Sequence, residues 1–186
     1  MHLRSKSKGL SEEKLIQDCC LGDRRAMQAL YERYAPGMMS VCYRYVNDRA
    51  IAQDLLHDGF LIVFSKIGDF RGEGSFEGWM RRVFVTTALG YLRKTKKHQE
   101  TDYLDQAVLL TRNQVSALDR LSSEEILDCI SRLPEGYRTV LNLFAIEGYS
   151  HREIAGMLGI SEGTSRSQYA RAKASLLKTL KELEII

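Results

Sequence analysis

The chain has 186 residues, of which 44% are hydrophobic, and its formal net charge is +3. This length allows one large domain or two small ones, and the hydrophobic content argues against wholesale disorder. Only two prolines interrupt a sequence rich in Leu, Ala, Glu, Arg and Lys, and no long alternating Val/Ile/Thr stretch indicates a sheet. The composition therefore predicts an all-α fold.

The sequence carries no signal for a membrane or for an oxidising compartment. Its basic N-terminus lacks an apolar signal-peptide core, and apolar runs such as Leu61–Phe64 are far shorter than the roughly 20 residues that span a bilayer. The four cysteines, Cys19, Cys20, Cys42 and Cys129, show no CxxC spacing. We expect reduced thiols, with Cys42 and Cys129 in the core, in a cytoplasmic protein.

Local signals place several helices in the first third of the chain. Ser11 is a predicted N-cap, and "LGD" at Leu21–Asp23 breaks that helix and caps the next. Pro36 is expected in the first turn of a continuing segment that reaches Tyr45. "NDR" at Asn47–Arg49 starts a further helix, whose apolar residues continue to Ile67.

A glycine-containing loop precedes a long basic helix. "FRGEGSF" at Phe70–Phe76 has two glycines and no helical periodicity, so it predicts a loop, and a helix follows from about Phe76 to Lys97. Six Lys/Arg and no acid lie between Gly78 and Gln99, whereas His98 to Tyr137 carries eight Asp/Glu against three Arg. We interpret the weakly periodic residues 98–122 as a linker.

A second helical unit begins near Ser122. Pro134 and Gly136 are expected to break its first helix, and "YRTVLNLFAIEGY" is expected to form the next. Between Ser161 and Lys181, five Lys/Arg oppose one Glu. Isolated charge runs are usually solvated faces, but two basic patches on predicted helices indicate a polyanion held in two places.

The end of the chain has the spacing of a helix-turn-helix. Ser150 and Glu153 form a capping box for "HREIAGML", Gly159 suits a left-handed C-terminal cap, and Ser161 caps the second helix. Gly163 is expected to allow the two helices to cross closely. The apolar seam between them consists of Ile154, Ala155, Leu158 and Ile160.

The second helix of this motif has two different faces. One face should turn inward and contains Ser165, Tyr169, Ala172 and Leu176. The opposite face is small, polar and basic: arginine holds guanine through two donors, serine bonds a base edge or phosphate, and alanine leaves room. The predicted DNA-binding residues are Thr164, Arg166, Ser167, Ala170, Arg171 and Lys173. The alternative is an ordinary helical hairpin with a polar outer face.

Three segments, in order, resemble the extracytoplasmic-function (ECF) sigma factors of the sigma-70 family. "GDRRAMQALYERYAP" is similar to the first conserved helix of their N-terminal domain. "AQDLLHDGFLIVFSKIGDFRGEGSFEGWMRRVFVTTALGYLRK" is similar to the core-binding and promoter-melting segment, and "LPEGYRTVLNLFAIEGYSHREIAGMLGISEGTSRSQYARAKASL" to the C-terminal −35 domain. The resemblance implies a region 2-like domain at 10–98, a linker at 99–121, and a region 4-like helix-turn-helix domain at 122–184.

The resemblance also implies where RNA polymerase core would bind. In the family, the helix matching Ile51–Ile67 docks on a coiled coil of the polymerase β′ subunit. Asp54, His57 and Asp58 form a polar acidic strip here, which suits arginine on a partner. Spacing alone would favour an ordinary solvated helix face.

The resemblance further implies that the loop at Phe70–Phe76 and the helix after it hold the −10 element, with one base flipped out. Proteins bind single-stranded DNA with aromatic rings, on which bases stack, and with arginines, which contact phosphates. The expected contacts are Arg71, Phe76, Trp79, Arg82, Thr86 and Arg93. Phe76, Trp79, Val83 and Phe84 also fit a core, and we expect Trp79 to be largely buried.

The chain departs from the family pattern at four positions. Relatives often carry Asn at the positions of Thr86 and Gly90 in the −10 helix. In the recognition helix, Ser165 and Gln168 stand where relatives often have an aliphatic residue and an arginine.

The function that the resemblance implies is that of a sigma factor without catalytic residues or a cofactor. It would place polymerase core on promoter DNA, with the helix-turn-helix at −35 beside the β flap, under control of an anti-sigma factor. One rival is a stand-alone helix-turn-helix regulator of duplex DNA. Another is a metal-dependent phosphohydrolase built on His57 and Asp58, but His2, His98 and His151 do not supply its further ligands.

Overall fold

The computed structural model describes residues 11–101 and 123–183, and all regular elements in these ranges are helical, as predicted. The α-helices are α1 (Glu12–Cys20), α2 (Arg24–Val46), α3 (Arg49–Lys66), α4 (Phe76–Thr101), α5 (Ser123–Ser131), α6 (Glu135–Leu141), α7 (His151–Leu158) and α8 (Glu162–Glu182). A short 3₁₀ turn, Ile67–Asp69, follows α3, and a π-helical turn, Asn142–Ile146, follows α6. None of the helices in these ranges has both the length and the apolarity needed to cross a membrane.

Side-chain caps begin the first three helices. Ser11 caps α1, Asp23 caps α2 and Asp48 caps α3, which confirms the predicted caps at Ser11 and Asp23. Asp23 accepts hydrogen bonds from the Ala26 and Arg25 amides at 3.0 and 2.7 Å. These bonds stabilise the carboxylate and hold the pKa of Asp23 below its ordinary 3.8.

Helix α2 runs unbroken from Arg24 to Val46 with Pro36 in its interior, so the expectation that Pro36 lies in the first turn of a segment is wrong. Proline lacks the amide that would bond to the carbonyl of Glu32. Both residues are exposed, so water can satisfy that carbonyl and the helix continues. The helix ends at Asn47, which adopts a left-handed conformation with φ of 52°.

The core of the first unit, which ends at Gly90, lies between α2, α3 and the first half of α4. Phe60 of α3 is its centre: its ring lies 4.6 Å from that of Tyr31 and 5.3 Å from that of Phe84. Cys42 is buried here, as predicted, and burial raises the pKa of its thiol to about 12.

The second unit begins at Tyr91, and α5, α6 and α8 enclose its core. Buried residues from these three helices and from the turn between α5 and α6 meet in a cluster of Ile130, Leu133, Leu141 and Ala172. Cys129 is buried on α5, as expected. Arg138 is also buried, and its guanidinium donates hydrogen bonds to the carbonyls of Ser131 and Leu133, at 2.9 and 3.0 Å. It thereby satisfies carbonyls at the end of α5.

Two expectations about the start of this unit need correction. Pro134 separates α5 from α6 as predicted, but Gly136 lies inside α6 and does not break a helix. The segment after it is not one continuous α-helix, because α6 ends at Leu141 and the chain widens into the π turn. There the Glu147 amide donates to the carbonyl of Asn142, five residues earlier, at 2.9 Å.

The predicted loop at Phe70–Phe76 is confirmed up to Ser75, with Gly72 and Gly74 at positive φ. Helix α4 then continues four residues beyond the predicted Lys97, to Thr101. The rest of the predicted linker, residues 102–121, lies outside the described residues. The chain divides into its two units between Gly90 and Tyr91, within α4, and the domain limits proposed from sequence stay predictions.

Candidate nucleic-acid interface

Helices α7 and α8 form a helix-turn-helix whose predicted caps are all confirmed. The Ser150 hydroxyl accepts from the Glu153 amide at 3.3 Å, and the Glu153 carboxylate accepts from the Ser150 amide at 2.8 Å. Gly159 closes α7 in the left-handed region with φ of 67°, and Ser161 caps α8. The caps of the two helices thus follow from three residues that can be recognised in the sequence: Ser150, Gly159 and Ser161.

The inward face of α8 is anchored by two fully buried residues. Ser165 and Ala172 are both 0% exposed, and Tyr169 and Leu176 beside them are partly buried, as predicted. The Ser165 hydroxyl forms a 2.9 Å hydrogen bond with Nδ1 of His151 at the start of α7.

Two aromatic rings pack against the His151 ring and against each other. The Phe144 ring lies parallel to that of His151, with centroids 4.3 Å apart and planes at 11°, and 4.6 Å from that of Tyr169. Lys173 places its Nζ 5.8 Å from the centre of the Tyr169 ring. Sequence reasoning missed His151; the signal was its position beside the cap Ser150, fourteen residues before Ser165.

The predicted reading residues lie on the outward face of α8. Thr164 is partly buried. The other five are exposed: Arg166, Ser167, Ala170, Arg171 and Lys173. Five of the six lie among the first ten residues of α8, at the end of a recognition helix that contacts base edges.

Local contacts hold several of these groups in the free protein. Arg166 forms an ion pair with Glu162, one turn earlier, and this pairing holds the pKa of the Glu162 carboxyl below its usual range. The Thr164 hydroxyl lies 2.8 Å from that of Ser161. The Ser167 hydroxyl donates to the Thr164 carbonyl at 3.0 Å and keeps its oxygen available as an acceptor.

Two residues of α8 have different surroundings from those expected. A Cβ on Gly163 would meet nothing closer than the Ser161 Oγ, at 3.7 Å, so Gly163 is not needed for a close helix crossing and that expectation is wrong. Gln168 lies against α6, where its Nε2 would be 3.6 Å from a Cβ on Gly136. Gln168, at a position where relatives often have an arginine, therefore packs against α6.

A second candidate surface runs along α4. Trp79, Arg82, Thr86 and Arg93 project within about 60° of one another, at about 100° per residue. The last three are exposed, and Arg71 is exposed in the preceding loop. The Thr86 hydroxyl donates to the Arg82 carbonyl at 2.8 Å.

Phe76 occupies the core, although it was predicted to contact DNA. It is 1% exposed and lies between the rings of Tyr34, Phe70 and Trp79, with centroid distances of 5.8, 5.2 and 5.5 Å. Its burial leaves no face of the ring for a base. Trp79 is largely buried, as predicted, and its ring stacks on that of Phe76.

A third surface lies on α3, opposite its buried face. Asp54, His57 and Asp58 are all exposed there, beside the exposed Gln53. Leu61 follows on the same strip and is 67% exposed. Sequence reasoning did not assign Leu61 to the strip; its helical phase, three residues after Asp58, was the signal. Within residues 11–101 and 123–183, no three His, Cys, Asp or Glu side chains gather as they would around a metal.

Family models match both units. The model for sigma-70 region 2 matches residues 30–98, which include the α3 strip and the α4 surface, and the model for sigma-70, region 4 matches residues 123–176, which include the helix-turn-helix.

Relatives cover nearly the whole chain. The RNA polymerase sigma-H factor of Pseudomonas aeruginosa is 27% identical over 183 residues, 92% of this chain and 95% of the relative. The ECF RNA polymerase sigma-E factor of Haemophilus influenzae is 28% identical over 185 residues, 94% of this chain and 97% of the relative.

A solved structure has the same fold. The sigma factor RpoE of Bartonella quintana, crystallised with the anti-sigma factor NepR, superposes with a TM-score of 0.53 at 18% identity, covering 83% of this chain and 96% of that one. The models for regions 2 and 4 match one after the other along the chain, and the sigma-factor relatives align over nearly their whole length. The chain belongs to the sigma-70 family, within its extracytoplasmic-function group of sigma factors.

Proposed function

We propose that this protein binds RNA polymerase core and directs initiation at promoters that it selects through −10 and −35 elements. The observation that carries the proposal is the pairing, in one chain, of a region 2 unit with a region 4 helix-turn-helix. A stand-alone regulator would need only the second. The relatives that cover the chain bear the name of RNA polymerase sigma factors.

The second unit supplies the −35 contacts. Arg166, Arg171 and Lys173 give α8 a positive outward face, and Ser167 and Ala170 keep that face small enough to enter a major groove. The arginines would hold guanine edges, and Thr164 and Lys173 would bond phosphates. The partly buried Thr164 sits at the start of α8, where amides and the helix dipole favour an anion.

Helix α4 and the loop before it supply the −10 contacts. Trp79 offers a ring that is exposed in part on the α4 surface, and Arg71, Arg82 and Arg93 provide cations on that surface and in the loop before it. A ring flanked by arginines suits a single strand, because a base stacks on the ring while the cations hold its phosphates. Phe76 supports Trp79 from beneath and makes no contact with the strand.

The α3 strip supplies the contact with polymerase core. Asp54 and Asp58 present two carboxylates one turn apart, suited to arginines of a basic partner helix. Leu61 adds an apolar side chain beside them, as protein interfaces commonly do at their centre.

This function needs no catalytic group or cofactor of its own, since the polymerase performs the chemistry, and it places the protein in the cytoplasm. An anti-sigma factor is the expected regulator, because the fold relative RpoE was crystallised with one.

The test of the DNA-reading face is mutational. Arg166→Ala and Arg171→Ala should each weaken −35 recognition by about 1–3 kcal/mol if each arginine reads a base. The measurement is competition between promoters with intact and altered −35 elements, using holoenzyme assembled from core. Lys178→Ala, an exposed cation further along α8, is the control. Equal selectivity in all three variants would remove the assigned face.

A further inference from the structure

We propose that His151 is a positioning residue for −35 recognition: its hydrogen bond to Ser165 fixes the orientation of α8, and thereby the aim of the reading side chains. The inference rests on the proposed function and concerns residues that make no contact with DNA in that account. It assigns a role to Ser165, one of the positions at which the chain departs from the family pattern.

The bond joins the two helices at the end of α7 that lies away from the turn. His151 is the first residue of α7 and Ser165 is the fourth of α8, while the connecting turn, Gly159–Ser161, lies at the last residue of α7. The 2.9 Å bond between Nδ1 and Oγ is therefore a second attachment, separate from the backbone connection. Attachment at both ends of α7 restricts rotation of α8 about the turn.

The surroundings of the bond make it specific. Ser165 is 0% exposed, so its hydroxyl is shielded from water. Loss of its hydrogen-bond partner would leave a buried polar group unsatisfied, which costs free energy. The imidazole plane is held by Phe144, stacked at 4.3 Å, and by the edge of Tyr169, with centroids 5.8 Å apart. The ring therefore points Nδ1 toward Ser165 in one orientation.

The bond acts directly at the reading face. Thr164 and Arg166 flank Ser165 in the chain, and Tyr169 and Lys173 follow it at successive turns of α8. Side chains of a binding site must be held within about 0.5 Å and 10–20° of their productive geometry, and an arginine that bonds guanine through two donors is sensitive to that placement. A hydrogen bond that sets the rotation of α8 therefore bears on base discrimination more than on the strength of phosphate contacts.

Two substitutions of His151 separate the hydrogen bond from ring packing. His151→Phe keeps a flat ring against Phe144 and Tyr169 but has no nitrogen to bond Ser165. His151→Asn loses the ring but places an amide atom near the position of Nδ1. A ring that served only for packing would make the asparagine variant the worse of the two; a positioning bond predicts the opposite order.

The measurement uses the full-length protein with purified polymerase core and a promoter pool randomised across the −35 element. Sequencing of run-off transcripts gives the ratio between preferred and other bases at each position. We expect His151→Phe to lower that ratio about 3- to 10-fold, the factor that one neutral hydrogen bond contributes, and His151→Asn to keep it within about 2-fold. Ser165→Ala should match His151→Phe, and the double variant His151→Phe/Ser165→Ala should lose no more than either.

Ile130→Val is the matched control for stability, because it removes a buried methylene from the core of the same unit without touching α7. Its base ratios should equal those of the natural chain. If the natural chain discriminates but His151→Phe does so equally, or if the phenylalanine and asparagine variants lose discrimination alike, the positioning role is overturned and the proposed function stands. If the natural chain itself starts no −35-dependent transcripts, the proposed function fails and takes this role with it.

Discussion

Gly59 shows how a single missing side chain sets the distance between two helices. It lies on the buried face of α3, and a Cβ built on it would overlap the ring of Phe84 on α4. Gly37 on α2 is also inside a helix, but a Cβ there would meet nothing within 4 Å. Alanine at position 59 would therefore clash with a neighbouring helix, whereas alanine at position 37 would not.

We predict that Gly59→Ala destabilises the first unit by about 1–3 kcal/mol, because overpacking outweighs the helix propensity of alanine. Gly37→Ala should stabilise it by about 0.5–1 kcal/mol, since there only the propensity changes. Trp79 is the single tryptophan of the chain and lies in this unit, so urea unfolding followed by its fluorescence measures both. A Gly59→Ala protein as stable as Gly37→Ala would contradict the packing account.

At the residue scale, the sequence predicted what depends on neighbours along the chain. The caps at Ser11, Ser150 and Ser161 follow from local hydrogen bonds, so local patterns found them. The burial of Phe76 depends on rings up to 42 residues away in the chain, as Tyr34 shows. The bond between His151 and Ser165 likewise needed the crossing of two helices, which no local pattern specifies.

At the element scale, the end of α5 depends on a residue of the next helix. Arg138 reaches from α6 to the carbonyls of Ser131 and Leu133, which would otherwise be buried without a partner at the helix end. Arg132, six residues before it, is exposed and pairs with Asp128 at 2.5 Å. The two arginines thus differ in burial while sharing charge and length.

We predict that Arg138→Met destabilises the second unit by about 2–3 kcal/mol, because it leaves carbonyls without the charged donor that satisfies them. Arg132→Met removes an exposed ion pair worth about 0.5 kcal/mol at most and serves as the control. Hydrogen exchange of the α5 and α6 amides measures both effects. Equal protection in the two variants would show that the cap contributes no more than a surface pair.

Helix positions were predicted better than helix continuity. Asn47 and Gly159 end helices by adopting positive φ, which their residue types favour, so these boundaries could be found. Proline and glycine are also residue types that commonly end helices, yet Pro36 and Gly136 both lie within helices. Helix α2 continues through Pro36 because the carbonyl left without a donor is exposed, and Gly136 lies in the first turn of α6. Local sequence patterns do not specify these surroundings.

At the scale of the whole molecule, the order of surfaces is what identifies the protein. The α3 strip, the α4 surface and the α8 face follow one another along the chain, in the order in which sigma-70 regions 2 and 4 match it. Each surface alone resembles an ordinary solvated helix face. The sequence could therefore indicate the function only through the sum of its segments, and the roles of individual residues remain predictions.

The central claim is that one chain both joins polymerase core and selects promoters. The most direct measurement is a pull-down with purified bacterial core, followed by run-off transcription from a pool of random promoters. The account predicts a stable complex with core and transcripts that start downstream of shared −35 and −10 elements. Binding to duplex DNA without core association or transcript initiation would contradict it and would make a stand-alone helix-turn-helix regulator the better description.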